Sequence, residues 1–550
     1  MQNIIKFFTD KRNLKYFIFV AFVVLYFCNI GGYGLMNPDE GRYAEIPREM
    51  LESGDYFTPR LNHVLYFEKP PLYYWFTAAS FLVFGRNEFG ARFTSVVMGL
   101  MSIFLTWFVA RKFEDENTAD LSAVILGTSG LFFALSRVNI IDMTLSALLT
   151  FALFSFYIFY KENKKRWLYI FYIALALATL AKGLIGIVLP GGVIFFFMLF
   201  TRDFKILKRL FLTPAILVFF LVCVPPFYLM CKKNPDFFYF FFIQEHFLRY
   251  ATKMHDRYEP FWFFIPVIIG GLFPWTLGLF VNIKNYLNRQ QINLYLILWV
   301  LIITLFFSAS SSKLIPYILP VFPPLAILIA KNILALKEKA ISKTAKIWLW
   351  VFTVLTVILC LSAVLIFGGI ITLKRINEAL VYKIPAILLC FVCFIFCLIF
   401  WFYKKQSKKM LVAHILFAFC FLAASLPFFS ALATQRSSKT LSIMLNKVLK
   451  PQDIILHFQT YKQDMPFYTK HRIAIYNREG ELAFGRSKAE DANNWFIEPE
   501  NIEAYLNQPL QENQKLYIIV KDKHKNLVPN IENFEYIGHD ERELNIYARK

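Results

Sequence analysis

Three short segments of this 550-residue chain bring carboxylates, cations and aromatic rings close together. The first runs Met36-Asn-Pro-Asp-Glu-Gly-Arg-Tyr-Ala-Glu-Ile-Pro-Arg-Glu-Met-Leu-Glu-Ser-Gly54. The second is Leu65-Tyr-Phe-Glu-Lys-Pro-Pro-Leu-Tyr-Tyr-Trp75, and the third Ser136-Arg-Val-Asn-Ile-Ile-Asp-Met-Thr144. A carboxylate can orient or deprotonate an acceptor, a lysine can neutralise a phosphate, and an aromatic face can stack on a sugar. Each residue also has a plainer reading. Asp39 stands where a helix N-cap belongs. Lys69, beside Tyr66, Tyr73, Tyr74 and Trp75, fits an aromatic interfacial belt with a snorkelling lysine. Asp142 is costly at a hydrophobic boundary unless paired, and Arg137 is within reach in sequence. Lys182 and Lys313 are single cations at span ends, suited to a lipid phosphate or to simple snorkelling. His63, Glu68, Glu245, His246 and His255 face one compartment and could together hold zinc, without the spacing of a local metal motif.

The elements that must position these residues are membrane helices. The chain is 57% hydrophobic with 63 Phe, and the apolar residues fall in blocks of about 17–25 bounded by charge. Thirteen spans are predicted, near 15–35, 91–111, 119–136, 142–160, 167–181, 184–200, 211–230, 261–281, 292–308, 314–331, 347–371, 385–403 and 411–429. This pattern excludes a soluble enzyme, a fibrous chain and a disordered chain. Cysteines lie within or at the ends of spans, with no disulfide or zinc-ribbon spacing. Residues 39–54 predict an amphipathic helix along the interface, stopped at Gly54. Pro70 and Pro71 place Glu68 and Lys69 at the entrance of a following helix.

The formal charge of +21 sits almost wholly in the first 430 residues, because the last 120 hold 17 basic and 16 acidic residues. Basic clusters at 161–166, 202–209, 331–346 and 404–409 predict cytoplasmic loops and a cytoplasmic N-terminus. The loops carrying Asp39, Lys69, Asp142, His246 and Lys313 then face outward. No groove links the basic loops, so nucleic acid is not expected as a partner; membrane lipids are. From residue 431 the spans cease and alternating runs appear at 453–458, 472–476, 516–520 and 544–547, with helices at 437–449 and 499–508. These predict a small extracytoplasmic α/β domain. It has no phosphate loop or nucleophile elbow and reads as structural or acceptor-facing. Residues 1–430 read as the transmembrane catalytic domain, with outer loops 36–90 and 231–260, and residues 431–550 as the periplasmic domain. An energised substrate outside the membrane, away from soluble nucleotides, must ride on a lipid; a transporter would use the same parts.

Pro38-Asp-Glu-Gly-Arg-Tyr-Ala-Glu-Ile-Pro-Arg-Glu-Met-Leu-Glu-Ser-Gly-Asp55 together with Tyr66-Phe-Glu-Lys-Pro70 strongly resembles the bacterial aminoarabinose transferase family. The likeness continues through Glu245-His246, Pro260-Phe-Trp-Phe-Phe-Ile-Pro and Ser312-Lys-Leu-Ile-Pro-Tyr-Ile-Leu-Pro320. The resemblance implies an all-α polytopic GT-C glycosyltransferase fold of about thirteen transmembrane helices, related to protein O-mannosyltransferases, in a bacterial inner membrane. It implies transfer of 4-amino-4-deoxy-L-arabinose from undecaprenyl phosphate to lipid A, with a protein or another envelope glycan as the alternative acceptor. By the same resemblance Asp39 and Asp142 are the catalytic carboxylates, with Lys69 on the leaving phosphate. Arg42, Tyr43, Tyr66, Lys182, Lys313 and Tyr317 are expected to bind substrate. Glu68 matches a metal-ligand position with His246, or less well His255, although no cofactor is required beyond a possible divalent zinc. Gly41 departs from the family's Asp-Glu-Thr-Arg-Tyr, which puts the sugar and acceptor in question.

Overall fold

The computed structural model describes residues 11–248, 259–286, 290–336, 338–368, 380–540 and 544–550. Among these, eight helices are long and apolar enough to cross a membrane. Counted as one span, the pair Glu116–Thr128 and Gly130–Ser136, bent by 64°, brings the number to nine. Eight of the thirteen expected spans are thus continuous helices. Those near 15–35 and 184–200 are shorter apolar helices, and 167–181 is a helix with charged ends, Lys165–Lys182. The expected span at 261–281 is corrected: it breaks into Phe264–Gly271, a 3-10 turn at Thr276–Leu279 and Ile283–Tyr286. Gly270 and Gly271 weaken the helix, and Pro274 lacks the N–H needed to continue it.

Four helices position the candidate residues: α1 (Asp39–Ser53), α2 (Leu72–Phe84), α3 (Glu88–Phe113) and α4 (Ile141–Glu162). Helix α1 ends at Gly54, whose φ of +69° suits glycine and whose N–H bonds to the Met50 carbonyl. It starts one residue earlier than the N-cap reading of Asp39 requires, so Asp39 is the first helical residue and not the cap. Pro38 is the cap residue, and the Glu40 side chain reaches back to accept from the Met36 N–H at 2.9 Å. Helix α2 opens directly after Pro70-Pro71, as the sequence predicts.

Helix α1 does not lie with its polar face in water. Glu40, Arg42, Glu45, Arg48 and Glu49 are all buried. Arg92 of α3 grips Glu40 with two bonds of 2.7 and 2.8 Å and donates its remaining hydrogens to the carbonyls of Ile30, Tyr33 and Gly34. Arg48 pairs Glu45 through two 2.6 Å bonds. The cover is the C-terminal region, a six-stranded sheet in the order β5-β4-β3-β6-β8-β7. Its strands are β3 (Ile454–Phe458), β4 (Ile473–Tyr476), β5 (Phe496–Ile497), β6 (Leu516–Lys521), β7 (Phe534–His539) and β8 (Leu544–Arg549). The first four strands in the sheet order pair in parallel, whereas β8 and β7 are antiparallel additions. A small ribbon, β1 (Arg60–Leu61) with β2 (Val64–Leu65), precedes it in the chain.

The sheet and the segment 43–66 share one apolar core, in which Tyr43, Ile46, Met50, Leu61 and Tyr66 pack with Leu445, Ile455, Ile475 and Ile519. Polar clasps reinforce it. Asn62 bonds both the N–H and the carbonyl of Ile473 at 2.8 Å, and Asp464 receives Ser437, the Ser438 N–H and Asn37. Two glycines set the closeness. A Cβ on Gly41 would lie 2.5 Å from the backbone nitrogen of Asp464, and one on Gly485 2.4 Å from the Leu65 carbonyl. Only glycine admits such backbone contacts.

Candidate active site

Asp39, the first residue of α1, is about half exposed, with a side-chain exposure of 51%. One turn on, the Arg42 guanidinium is buried between it and the C-terminal region. Arg42 Nη2 lies 2.7 Å from Glu481 Oε2, and Nη1 lies 3.6 Å from Asp39 Oδ1. Gln463 fixes the other Glu481 oxygen at 2.8 Å. The guanidinium also sits 5.7 Å from the Tyr43 ring and 5.8 Å from the Tyr66 ring. Burial opposes its charge, but Glu481, Tyr66, Tyr43 and Asp39 outweigh that and hold it well above the ordinary arginine range. Glu481 feels opposed pulls: burial, Glu68 and Asp39 push its carboxyl up against Arg42 and Gln463, and the net is upward.

Tyr43 joins the two carboxylate positions. Burial and then Asp39 push its hydroxyl well above the usual tyrosine range, and Asp142 adds in the same direction. Tyr43 therefore keeps its proton and remains a donor. It packs against Tyr73 at 5.7 Å and Tyr74 at 6.2 Å. Tyr66, Tyr74 and the Arg42 Nε are buried, and Tyr66 Oη, Tyr74 Oη and Nε have no hydrogen-bond partner among the described residues. Buried donors without partners are costly and uncommon; here three lie together beside a half-exposed carboxylate.

Asp142, in the first turn of α4, is not held by Arg137. Arg137 spends its hydrogens on the carbonyls of Leu25, Tyr26 and Cys28. The partner is Lys182, at the end of the Lys165–Lys182 helix, whose ammonium also lies 4.3 Å from the centre of the Tyr317 ring. Lys182 and Tyr317 are thus brought to Asp142, as a set. Glu68 and Lys69 face the Arg42 side: Lys69 Nζ donates to the Glu68 carbonyl at 2.8 Å and is 3.8 Å from its carboxylate. Burial first, then Glu68 and Glu481 against Arg42, set the raised hydroxyl of Tyr66. Lys313 is buried and donates to the carbonyls of Glu259 and Ser310 at 2.9 and 2.7 Å. Among the described residues no hydrogen bond or ion pair ties it to the Asp39 or Asp142 groups.

The metal reading rests on Glu68 with His246 or His255. The His246 side chain and the whole of His255 lie outside the described residues. Among those described, no three His, Cys, Asp or Glu side chains gather to hold an ion. Sequence reasoning missed Glu481 and Gln463. They carry no motif, and the tail reads as a separate module until Gly41 is seen to admit its backbone.

The arrangement offers a cation beside a buried set of hydroxyl donors, with one carboxylate open to an acceptor and another fixed by a lysine. Comparison with known proteins agrees in kind. Residues 68–229 match the family model described as dolichyl-phosphate-mannose-protein mannosyltransferase, and residues 441–547 that of the aminoarabinose transferase C-terminal domain. The undecaprenyl phosphate-alpha-4-amino-4-deoxy-L-arabinose arabinosyl transferase 1 of Proteus mirabilis is 34% identical over 339 residues, 60% of this chain and 62% of that one. The chain thus spans a little under two thirds of that relative's length. The Pectobacterium atrosepticum enzyme named for the same transfer is 29% identical over 501 residues, 89% of each chain. The crystal structure of ArnT from Cupriavidus metallidurans bound to undecaprenyl phosphate superposes with a TM-score of 0.84 at 26% identity, covering 96% of this chain and 97% of that one. An Archaeoglobus fulgidus oligosaccharyltransferase, at 14% identity and a TM-score of 0.51 over 99% of this chain and 75% of that one, shares the fold alone. This multi-pass membrane protein has the GT-C fold, and over nearly its whole length it is similar to the aminoarabinose transferases.

Proposed function

We propose that the chain transfers 4-amino-4-deoxy-L-arabinose from undecaprenyl phosphate to lipid A, at the periplasmic face of a bacterial inner membrane. The observation that carries this reading is the half-exposed Asp39 set against the buried Arg42 Nε, Tyr66 hydroxyl and Tyr74 hydroxyl, which have no hydrogen-bond partner among the described residues. A sugar phosphate ester supplies acceptors for those donors, and the relatives named for this transfer support the choice of donor. Gly41 does not argue for another sugar, because its lack of a side chain is explained by the approach of the Asp464 backbone.

In the reaction the acceptor oxygen attacks the anomeric carbon from the face opposite the phosphate. The bond from that carbon to the phosphate oxygen breaks, and its electron pair leaves on polyprenyl phosphate. Lys69 and Arg42 stabilise the departing charge, and Tyr43 and Tyr66, which keep their protons, donate hydrogen bonds to it. A lipid A phosphate is already anionic and needs no strong base. Asp39 then has a different task, holding the sugar's ammonium or aligning the acceptor. Asp142 cannot share that task freely, being tied to Lys182.

Mass spectrometry of lipid A from cells making the wild-type chain or Asp39→Ala tests the proposal. The expected result is a pentosamine-sized increment that the variant abolishes. Unmodified lipid A in both, with both chains stably made, overturns it and directs the search to protein or glycan acceptors.

A further inference from the structure

A cavity lies away from the residues discussed so far, at the seam where the last three spans meet the rest of the bundle. Those spans, within Lys343–Phe367, Lys383–Phe402 and Lys408–Arg436, form their own core of Trp348, Leu349, Phe352, Phe400 and Phe417. Between this core and the irregular segment at 274–281 is a space of about 170 Å³. Its wall is apolar, from Leu277, Val281, Ile333, Leu336 and Leu411, with three exceptions that matter: Trp348, His414 and Lys408. Thr344 and Lys408 lie at the helix ends within the basic segments 331–346 and 404–409, which the charge pattern assigns to the cytoplasmic side, opposite Asp39.

The exceptions have complementary needs. His414 is wedged edge-on between the Trp275 and Trp348 rings, at 4.6 and 4.7 Å. One of its ring nitrogens is bonded to the Pro274 carbonyl, so that nitrogen carries the proton. The other, Nδ1, is then an acceptor, and it is buried without a partner among the described residues; so is the Trp348 Nε1 donor. Both side chains are more than nine-tenths buried. A cavity that presents one donor, one acceptor and a mouth lysine within an apolar wall is not built for a bare hydrocarbon chain. The paired orphans also discriminate among lipids. A polyprenyl phosphate has no ester carbonyl for Trp348 and no alcohol hydroxyl for His414.

We propose that this cavity binds an anionic glycerophospholipid of the phosphatidylglycerol class from the inner leaflet. Its phosphate sits at Lys408, a chain ester accepts from Trp348 Nε1, a headgroup hydroxyl donates to His414 Nδ1, and one acyl chain fills the seam. Lipid bound there bridges the last spans to the 274–281 segment. The site does not depend on the transfer reaction proposed above.

The test uses the full chain purified in detergent. Retained phospholipid is quantified by native mass spectrometry after exchange against equal phosphatidylglycerol and phosphatidylcholine, with undecaprenyl phosphate as a third arm. Wild type is expected to retain phosphatidylglycerol in preference to both others. Trp348→Phe and Lys408→Ala are each expected to lower that retention about fivefold, the loss of one polar contact. Lys408 is exposed, so its variant folds whatever becomes of Trp348. Equal retention of the two phospholipids, preference for undecaprenyl phosphate, or retention unchanged in both variants overturns the proposal.

Discussion

Replacing Glu481 by Gln tests whether the C-terminal region takes part in the active site or merely covers it. Gln preserves the size of Glu481 and one acceptor, so the Gln463 contact and the packing survive. What goes is the negative charge 2.7 Å from a guanidinium that is only 10% exposed. The remaining counter-charge, Asp39, is 3.6 Å away and itself half in solvent. A hydrogen bond to a charged group is worth about 1.5–3 kcal/mol, less than the roughly 3–5 kcal/mol expected when a buried ion loses its partner entirely. If Arg42 holds the leaving phosphate, most of that loss falls on the transition state, and kcat/KM drops about 10- to 100-fold. The assay is sugar transfer from purified polyprenyl-linked donor in detergent, with thermal unfolding measured in parallel. The pH profile separates a role in the site from a role in stability. As pH falls through the raised Glu481 pKa the wild-type carboxyl takes up a proton and Arg42 loses its counter-ion. Wild-type activity should therefore decline on mild acidification while the Gln variant, low throughout, stays flat. A Gln variant within about threefold of wild type in kcat/KM, or one that lowers only the unfolding temperature, refutes the reasoning.

Three further outcomes are expected. Gly41→Thr, the change toward the Asp-Glu-Thr-Arg-Tyr pattern expected from the resemblance, should destabilise the protein by about 1–3 kcal/mol through the Asp464 backbone clash, read as a lower unfolding temperature and faster proteolysis of the C-terminal region. Arg92→Met leaves the buried Glu40 carboxylate without its two bonds, at a cost of roughly 3–5 kcal/mol; size-exclusion chromatography should show aggregated protein, and Arg92→Lys should not rescue the bidentate grip. Burial and then Glu45 push the Glu49 carboxyl well above 4.5. Between the unfolded value and the raised one the folded chain holds a proton that the unfolded chain releases, so stability falls as pH rises through that window. Glu49→Gln should flatten this slope in thermal unfolding measured across pH.

The membrane class, most of the spans and four of the strands were legible in the sequence because each depends on local periodicity. A run of about twenty apolar residues has few fates, and a run alternating with period two has few others. The candidate segments stood out in the sequence for a different reason: residue types at fixed short spacing survive any packing. The failures were all cases where distant chain decides. The span at 261–281 has the composition of a helix, yet two glycines and Pro274 break it, and its neighbours supply the packing that a continuous helix would have had. Helix α1 has the pattern of an interfacial helix, but its polar face is met by protein more than 400 residues later. Asp142 had an arginine five residues away, and its partner is a lysine forty residues on. Gly41 shows the division most plainly. From sequence it was an unexplained departure within a motif; in the fold it is the place where the tail's backbone presses 2.5 Å from where a side chain would begin, and where Glu481 is delivered to Arg42. Sequence alone thus determined the solvent each segment prefers and which chemistries are available. Only the tertiary structure decided which charges pair, because pairing in a buried site depends on which of several nearby partners arrives desolvated and at bonding distance.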